Sequence, residues 1–204
     1  LTEEELWHDV YKSSRRYANG ARKKGCYVEE VGEEAMEVFY EILAETATRS
    51  GFIPRAIEAY ADVYRAFAAD GNARILIGYL PDGTPVSSKM IVTSGGRMSQ
   101  LYGGLTEAGG KARSGHLFEW EAILRTKAAG ATIFDMWGRS TTGIAHFQAG
   151  FGGRVVEYGG TFDLVVNAPV RSLYQRGRRA WVRIARRRSG LDPETPVAPA
   201  STGD

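Results

Sequence analysis

The chain has 204 residues, 43% of them hydrophobic and 25% charged, with a formal net charge of +2 at pH 7. That length suffices to bury a core, and the composition excludes a chain disordered throughout. The single cysteine, Cys26, excludes an internal disulfide, the scattered His8, His116 and His146 argue against a zinc site, and no run approaches the ~18 apolar residues of a membrane span.

The N-terminal LTEEELWHDV is acidic and amphipathic, unlike a signal peptide, which points to a cytoplasmic protein. It opens without Met in what reads as mid-protein sequence, so an upstream part is expected. Glu3–Lys24 has helical spacing, with Leu6, Val10, Ser14 and Tyr17 on one face, and Gly25 ends it. Cys26–Val31 reads as a short strand. Glu33–Thr48 is predicted as a second helix with Met36, Phe39, Tyr40, Leu43 and Ala47 as its apolar stripe. After Gly51, Pro54 suits the first turn of a third helix running to about Ala69.

The period then changes. Ala73–Leu80 reads as a strand, Pro81-Asp82-Gly83-Thr84 as a hairpin turn, and Val86–Thr93 and Arg97–Tyr102 as further strands. A glycine-rich loop follows. Ser114 is placed to cap a helix ending at Gly130, and Ala131–Trp137 reads as a strand buried on both faces. Trp120 and Trp137 are expected in the core. Thr141–Ala149 is predicted as a short helix, and Arg154–Tyr158 with Thr161–Val166 as a final hairpin. The segment from Arg171 to Arg188 holds eight arginines and no acidic residue. Such a block attracts phosphate-rich partners, either tRNA or the anionic inner face of a membrane, or it is a solvated helix whose arginine stems cover apolar surface. This order, with a helix between a meander and a buried strand, resembles the GNAT acyltransferase superfamily: an α/β fold with a mixed, mostly antiparallel central sheet flanked by helices. The expected division is a helical lead-in at 1–25, a GNAT-like domain at 26–170, a basic helix at 171–188 and a disordered tail at 189–204.

Three constellations carry chemistry. Gly103–Arg113 precedes a helix, and glycine-rich backbone at a helix start binds pyrophosphate through free N–H groups. Glu107 opposes that use, and a plain connection is the stronger reading. Asp135 interrupts an apolar strand, so its carboxylate either pins the turn at Trp137–Gly138, the stronger reading, or serves a site. Arg49 and Arg55 flank a turn between helices, where an arginine fork suits an anion or is simply exposed.

Glu45-Thr46-Ala47-Thr48-Arg49-Ser50-Gly51-Phe52 resembles the "ETxxRxGF" segment of the Fem family, the tRNA-dependent peptidoglycan-bridge aminoacyltransferases. Leu101-Tyr102-Gly103, Leu117–Ile123, Ala128-Ala129-Gly130, Phe134-Asp135 and Phe147-x₃-Phe151-Gly152-Gly153 follow in that family's order. Fem enzymes carry two GNAT-like domains, and the resemblance covers the second. It implies aminolysis of an aminoacyl-tRNA ester by an amine of a lipid-linked or UDP-linked muropeptide precursor, with no cofactor beyond the tRNA co-substrate. It places catalysis at a Phe-Lys pair on the short helix, which here reads Phe147-Gln148. Glutamine donates a hydrogen bond but adds no charge, so either Gln148 acts as a neutral donor, or Arg139 or Lys111 supplies a cation, or activity is lost. The resemblance further implies Arg55, with Arg49 in reserve, as a phosphate-gripping residue and Tyr102 as a cleft-lining one. The N-terminus and the lack of a spanning run lead to the expectation of a cytoplasmic protein, with the arginine-rich segment as a peripheral contact at the inner membrane face. Two rival readings are a CoA-dependent N-acyltransferase and a non-catalytic tRNA- or membrane-binding module.

Overall fold

Alternation in the central strands sets up two apolar faces, each needing a cover. In the computed structural model, which describes residues 1–138, 142–157, 159, 162 and 164–188, five strands form one sheet in the order β1 (Tyr27–Val31), β2 (Ala73–Tyr79), β3 (Pro85–Ser94), β4 (Arg97–Leu105) and β5 (Ile133–Asp135). The first four pair antiparallel, and β5 runs parallel to β4. Ile75, Ile77 and Met90 face α3 (Met36–Ser50) and α4 (Ile57–Ala68), where Phe39 is fully buried. Leu76, Ile91 and Met98 face Phe118 and Ala122 of α6 (Gly115–Ala128). Each fully buried side chain of this size contributes about 1.5–3 kcal/mol. The small Ala18 and Ala21 of α2 (Lys12–Lys23) let that helix pack closely on Leu117 of α6.

The chain divides into two units, residues 1–46 with 54–153 and residues 47–53 with 154–204. The sheet lies in the first. The second holds the last turn of α3 and α8 (Ala168–Arg188), whose Leu173, Tyr174, Trp181 and Ile184 are exposed among its arginines.

Most expected elements are present, and the departures have local causes. The leading helix breaks into α1 (Glu3–Asp9) and α2, because Val10 turns extended and buries its side chain against Trp120 and Phe151. Thr2 and Glu5 close a reciprocal capping box at the start of α1. Pro54 precedes α4 instead of opening it. The glycine-rich loop is ordered: β4 extends to Leu105 and Glu107–Ala112 forms a short helix, α5, capped by Thr106. Ser114 closes α5 instead of capping α6, since its hydroxyl donates to the Gly109 carbonyl at 3.2 Å. The strand expected at Ala131–Trp137 shrinks to three residues, and Ile133 and Trp137 are exposed, so neither double burial nor a core Trp137 holds. The final hairpin is absent among its described residues: Val155, Val156, Leu164 and Val166 have strand-forming side chains but no paired neighbour. Tyr158, Thr161, Asp163 and the tail expected at 189–204 lie, wholly or in part, outside the described residues.

Candidate active site

The sheet opens between β4 and β5. Their pairing is confined to Arg97–Ser99 against Ile133–Asp135. Next to it, Ile91 pairs with Gln100 and Met90 with Tyr102, leaving Leu101 as an extra residue that bends β4. Past that point a side chain replaces the backbone ladder: Gln100 Nε2 donates to the Met136 carbonyl at 3.1 Å. The same oxygen accepts from Gln148 Nε2 at 2.9 Å. Gln148 is half-buried on α7 (Thr142–Ala149).

Glycines hold α7 in place. The Gly150 carbonyl accepts from Tyr11 N–H at 2.9 Å, and a Cβ at Gly150 would lie 2.4 Å from Ser14 Oγ. Gly152 adopts φ +74, and a Cβ there would lie 3.1 Å from the Asp9 carbonyl oxygen. The Phe147 ring packs 5.2 Å from Phe151 and 5.0 Å from His116. It anchors α7, while the next residue, Gln148, meets Met136. Burial, followed by the Arg113 charge, lowers the pKa of His116 below its ordinary 6.5.

Behind the opening lies a buried ion pair. Lys89 of β3 and Glu119 of α6 are in contact, with their side chains 9% and 2% exposed. Lys89 Nζ also donates to Gln100 Oε1 at 2.6 Å. Gly103 makes room for it, since a Cβ there would lie 3.3 Å from Lys89 Cγ and 2.4 Å from the Ser88 carbonyl. Lys89, Glu119 and Gln100 were missed in the sequence. The available signals were a lysine amid the apolar run of β3 and a glutamate between Phe118 and Trp120, and neither says that the two meet.

The remaining candidates separate. Tyr102 and Arg55 come together on the α3–α4 side: Arg55 N–H donates to Tyr60 Oη at 3.1 Å, Tyr40 Oη donates to the Arg55 carbonyl at 3.1 Å, and Tyr60 meets Tyr102 edge-on at 5.0 Å. The Arg55 guanidinium is exposed, as an anion-binding group must be. Arg49 is exposed on the last turn of α3, in the second unit. Lys111 pairs with Glu107 at 2.6 Å along α5, both side chains exposed. Arg139 lies outside the described residues. Asp135 has the structural role expected of it: Oδ1 accepts from Trp137 N–H at 2.9 Å and Oδ2 meets Arg97 at 2.9 Å. Trp137 is held there at φ +64, uncommon for a bulky residue.

Chemically, the opening offers amides and a neutralised ion pair. Gln148 keeps a carbonyl oxygen and one further N–H to orient a substrate, but an amide takes no proton near neutral pH.

Residues 8–148 match the family described as acetyltransferase (GNAT) domain. The chain is similar to Lipid II:glycine glycyltransferase of Staphylococcus epidermidis, 20% identical over 93% of this chain and 63% of that protein. It is also similar to the Staphylococcus aureus protein of the same name, 29% identical over 37% of this chain and 18% of that one. It therefore spans less than two thirds of the length of these relatives. The crystal structure of FemX superposes with a TM-score of 0.75 at 18% identity, covering 85% of this chain and 61% of that one. An aminoglycoside 6'-N-acetyltransferase from Acinetobacter haemolyticus superposes at 0.52 with 12% identity, covering 69% and 99%. The GNAT fold expected from element order is thus present.

Proposed function

We propose, from the premise that the chain belongs to the acetyltransferase (GNAT) domain family, that it is a Fem-type aminoacyltransferase. It moves an amino acid from aminoacyl-tRNA to an amine of a lipid-linked or UDP-linked peptidoglycan precursor. The observation that carries this reading is the similarity over 93% of the chain to a glycyltransferase named for lipid II.

The amine nitrogen attacks the ester carbonyl. A C–N bond forms, the C–O bond to the tRNA ribose breaks, and one proton passes from nitrogen to the departing ribose oxygen. Nothing is oxidised or reduced. In this reading Gln148 and Phe147 mark the reacting end of the site, and Arg55 grips phosphate beside Tyr102. The eight arginines of α8, interleaved with exposed Leu173, Trp181 and Ile184, suit peripheral contact with an anionic membrane at its cytoplasmic face. No helix among the described residues is long and apolar enough to cross a membrane.

The CoA-dependent reading is less well supported, because backbone donors in the glycine-rich segment are already used. Glu107 N–H donates to Glu45 Oε1 at 2.7 Å and Gly109 N–H to Thr106 Oγ1 at 3.1 Å. The deciding experiment offers the protein labelled aminoacyl-tRNA or labelled acetyl-CoA, each with lipid-linked and UDP-linked precursors. Label should enter the precursor from the tRNA. Label entering only from acetyl-CoA, or tRNA bound without turnover, would sink the proposal.

A further inference from the structure

Lys89 and Glu119 are buried charges, Lys89 outside every segment of the Fem resemblance and Glu119 within Leu117–Ile123. Taking two charges out of water costs several kcal/mol per ion, which their attraction repays only with good geometry and further hydrogen bonds. The ammonium has one further acceptor, Gln100 Oε1 at 2.6 Å from Nζ, while Glu119 Oε1 has no hydrogen-bond partner among the described residues. Because Glu119 neutralises Lys89, the pair brings no net charge to the β4–β5 opening. It brings direction.

An ammonium group only donates and a backbone carbonyl only accepts. Lys89 therefore turns the Gln100 amide so that its oxygen faces the ammonium and Nε2 faces the Met136 carbonyl, 3.1 Å away. That carbonyl, in turn, draws the Nε2 side of the Gln148 amide, at 2.9 Å. Two donors thus converge on one oxygen: the Gln100 amide, turned by the buried ammonium, holds the Met136 carbonyl at the β4–β5 opening, and that carbonyl orients the Gln148 amide. Gln148 Oε1 accepts no hydrogen bond from the described residues.

We infer that Lys89, Glu119 and Gln100 are positioning residues that hold the Met136 carbonyl, which in turn locks the amide of Gln148 in one orientation, so that Oε1 is offered as an acceptor to an N–H of the incoming primary amine. The identity of that amine rests on the aminoacyl-transfer reading; the relay does not. A lysine at this position, as the Fem resemblance would have it, is a donor. The locked glutamine holds the nucleophile instead, aims its lone pair, and takes no proton from it.

The test compares wild type with Lys89→Met/Glu119→Leu, which removes both buried charges together, and with Gln100→Leu, which breaks the relay and leaves the ion pair. Melting curves confirm folding. In ¹⁵N spectra the Gln148 side-chain NH₂ pair, assigned by its loss in Gln148→Ala, should be dispersed and slow to exchange in wild type. It should move toward the free-amide position in both variants. The KM for the amine acceptor should rise about five-fold, one hydrogen bond of ~1 kcal/mol, with the KM for aminoacyl-tRNA unchanged. An NH₂ pair indifferent to both variants, or an unchanged KM for the amine, overturns the inference. A wild type that transfers no amino acid overturns the functional reading, and the NH₂ shifts then decide the relay alone.

Discussion

Gln148 on α7 and Gln100 on β4 donate to the same oxygen, the Met136 carbonyl, at 2.9 and 3.1 Å. The two amides close across the point where β4 and β5 part, so the short helix and the sheet edge are tied through one acceptor. Gln148→Ala removes one of these ties and should lower kcat/KM for transfer about ten-fold, ~1.4 kcal/mol. Gln148→Glu keeps an oxygen but sets a carboxylate against a carbonyl, and should lose at least as much. Initial rates with saturating aminoacyl-tRNA measure both. Wild-type rates in the alanine variant would remove position 148 from the site.

Lys89 and Glu119 should be costly to break singly and cheap to replace together. Lys89→Met leaves a carboxylate with a 2% exposed side chain without its counter-ion, and a loss of about 3–5 kcal/mol is expected. Adding Glu119→Leu should recover most of it. Urea unfolding at neutral pH gives both values, and a single variant as stable as the double would show that the pair is not sealed from water.

Gly103 and Gly110 sit in one glycine-rich segment and should respond oppositely to alanine. At Gly103 a Cβ would meet the Ser88 carbonyl at 2.4 Å, a backbone atom that cannot swing aside, so Gly103→Ala should cost at least ~1–3 kcal/mol. At Gly110, within α5, a Cβ meets nothing within 4 Å, and Gly110→Ala should stabilise by about 0.4–1 kcal/mol. Thermal melts of the two variants side by side test the pair.

His116 makes stability depend on pH. Burial between Tyr17, Phe147 and Phe151, and then the Arg113 charge, put its folded pKa below the ordinary 6.5. The unfolded chain therefore binds a proton more readily, and stability rises with pH. The contribution is fully present above pH 6.5 and is lost as pH falls through that value and then through the lower folded one. Wild type should lose more of its melting temperature between pH 7.5 and 5 than His116→Phe does; equal losses would place the pH dependence elsewhere.

Cys26, 7% exposed in the α2–α6 cluster, has its pKa raised by burial. Its thiol should react with a neutral disulfide reagent far more slowly than when urea unfolds the chain.

The order of elements around the sheet was legible in the amino-acid sequence, because hydrophobic periods of 2 and 3.6 are local and survive without neighbours. Leu76, Ile91 and Phe118, or Ile75, Phe39 and Tyr60, announce their faces in this way. The sequence also pointed to Asp135 pinning the Trp137 turn, a contact across two residues. Where periodicity yields to packing was settled by the tertiary structure: Val10 leaves its helix to fill a pocket beside Trp120, and among the described residues neither 154–157 nor 164–166 pairs with a strand. The site was settled there too. Lys89, Gln100, Glu119, Met136 and Gln148 lie on five different parts of the chain, and no spacing rule links them. They meet because β4 bends at Leu101, β5 stops at Asp135, and glycines at 150 and 152 let α7 close on the α1–α2 junction. A hydrogen bond reaches only about 3 Å, so a relay of this kind exists solely in the folded geometry.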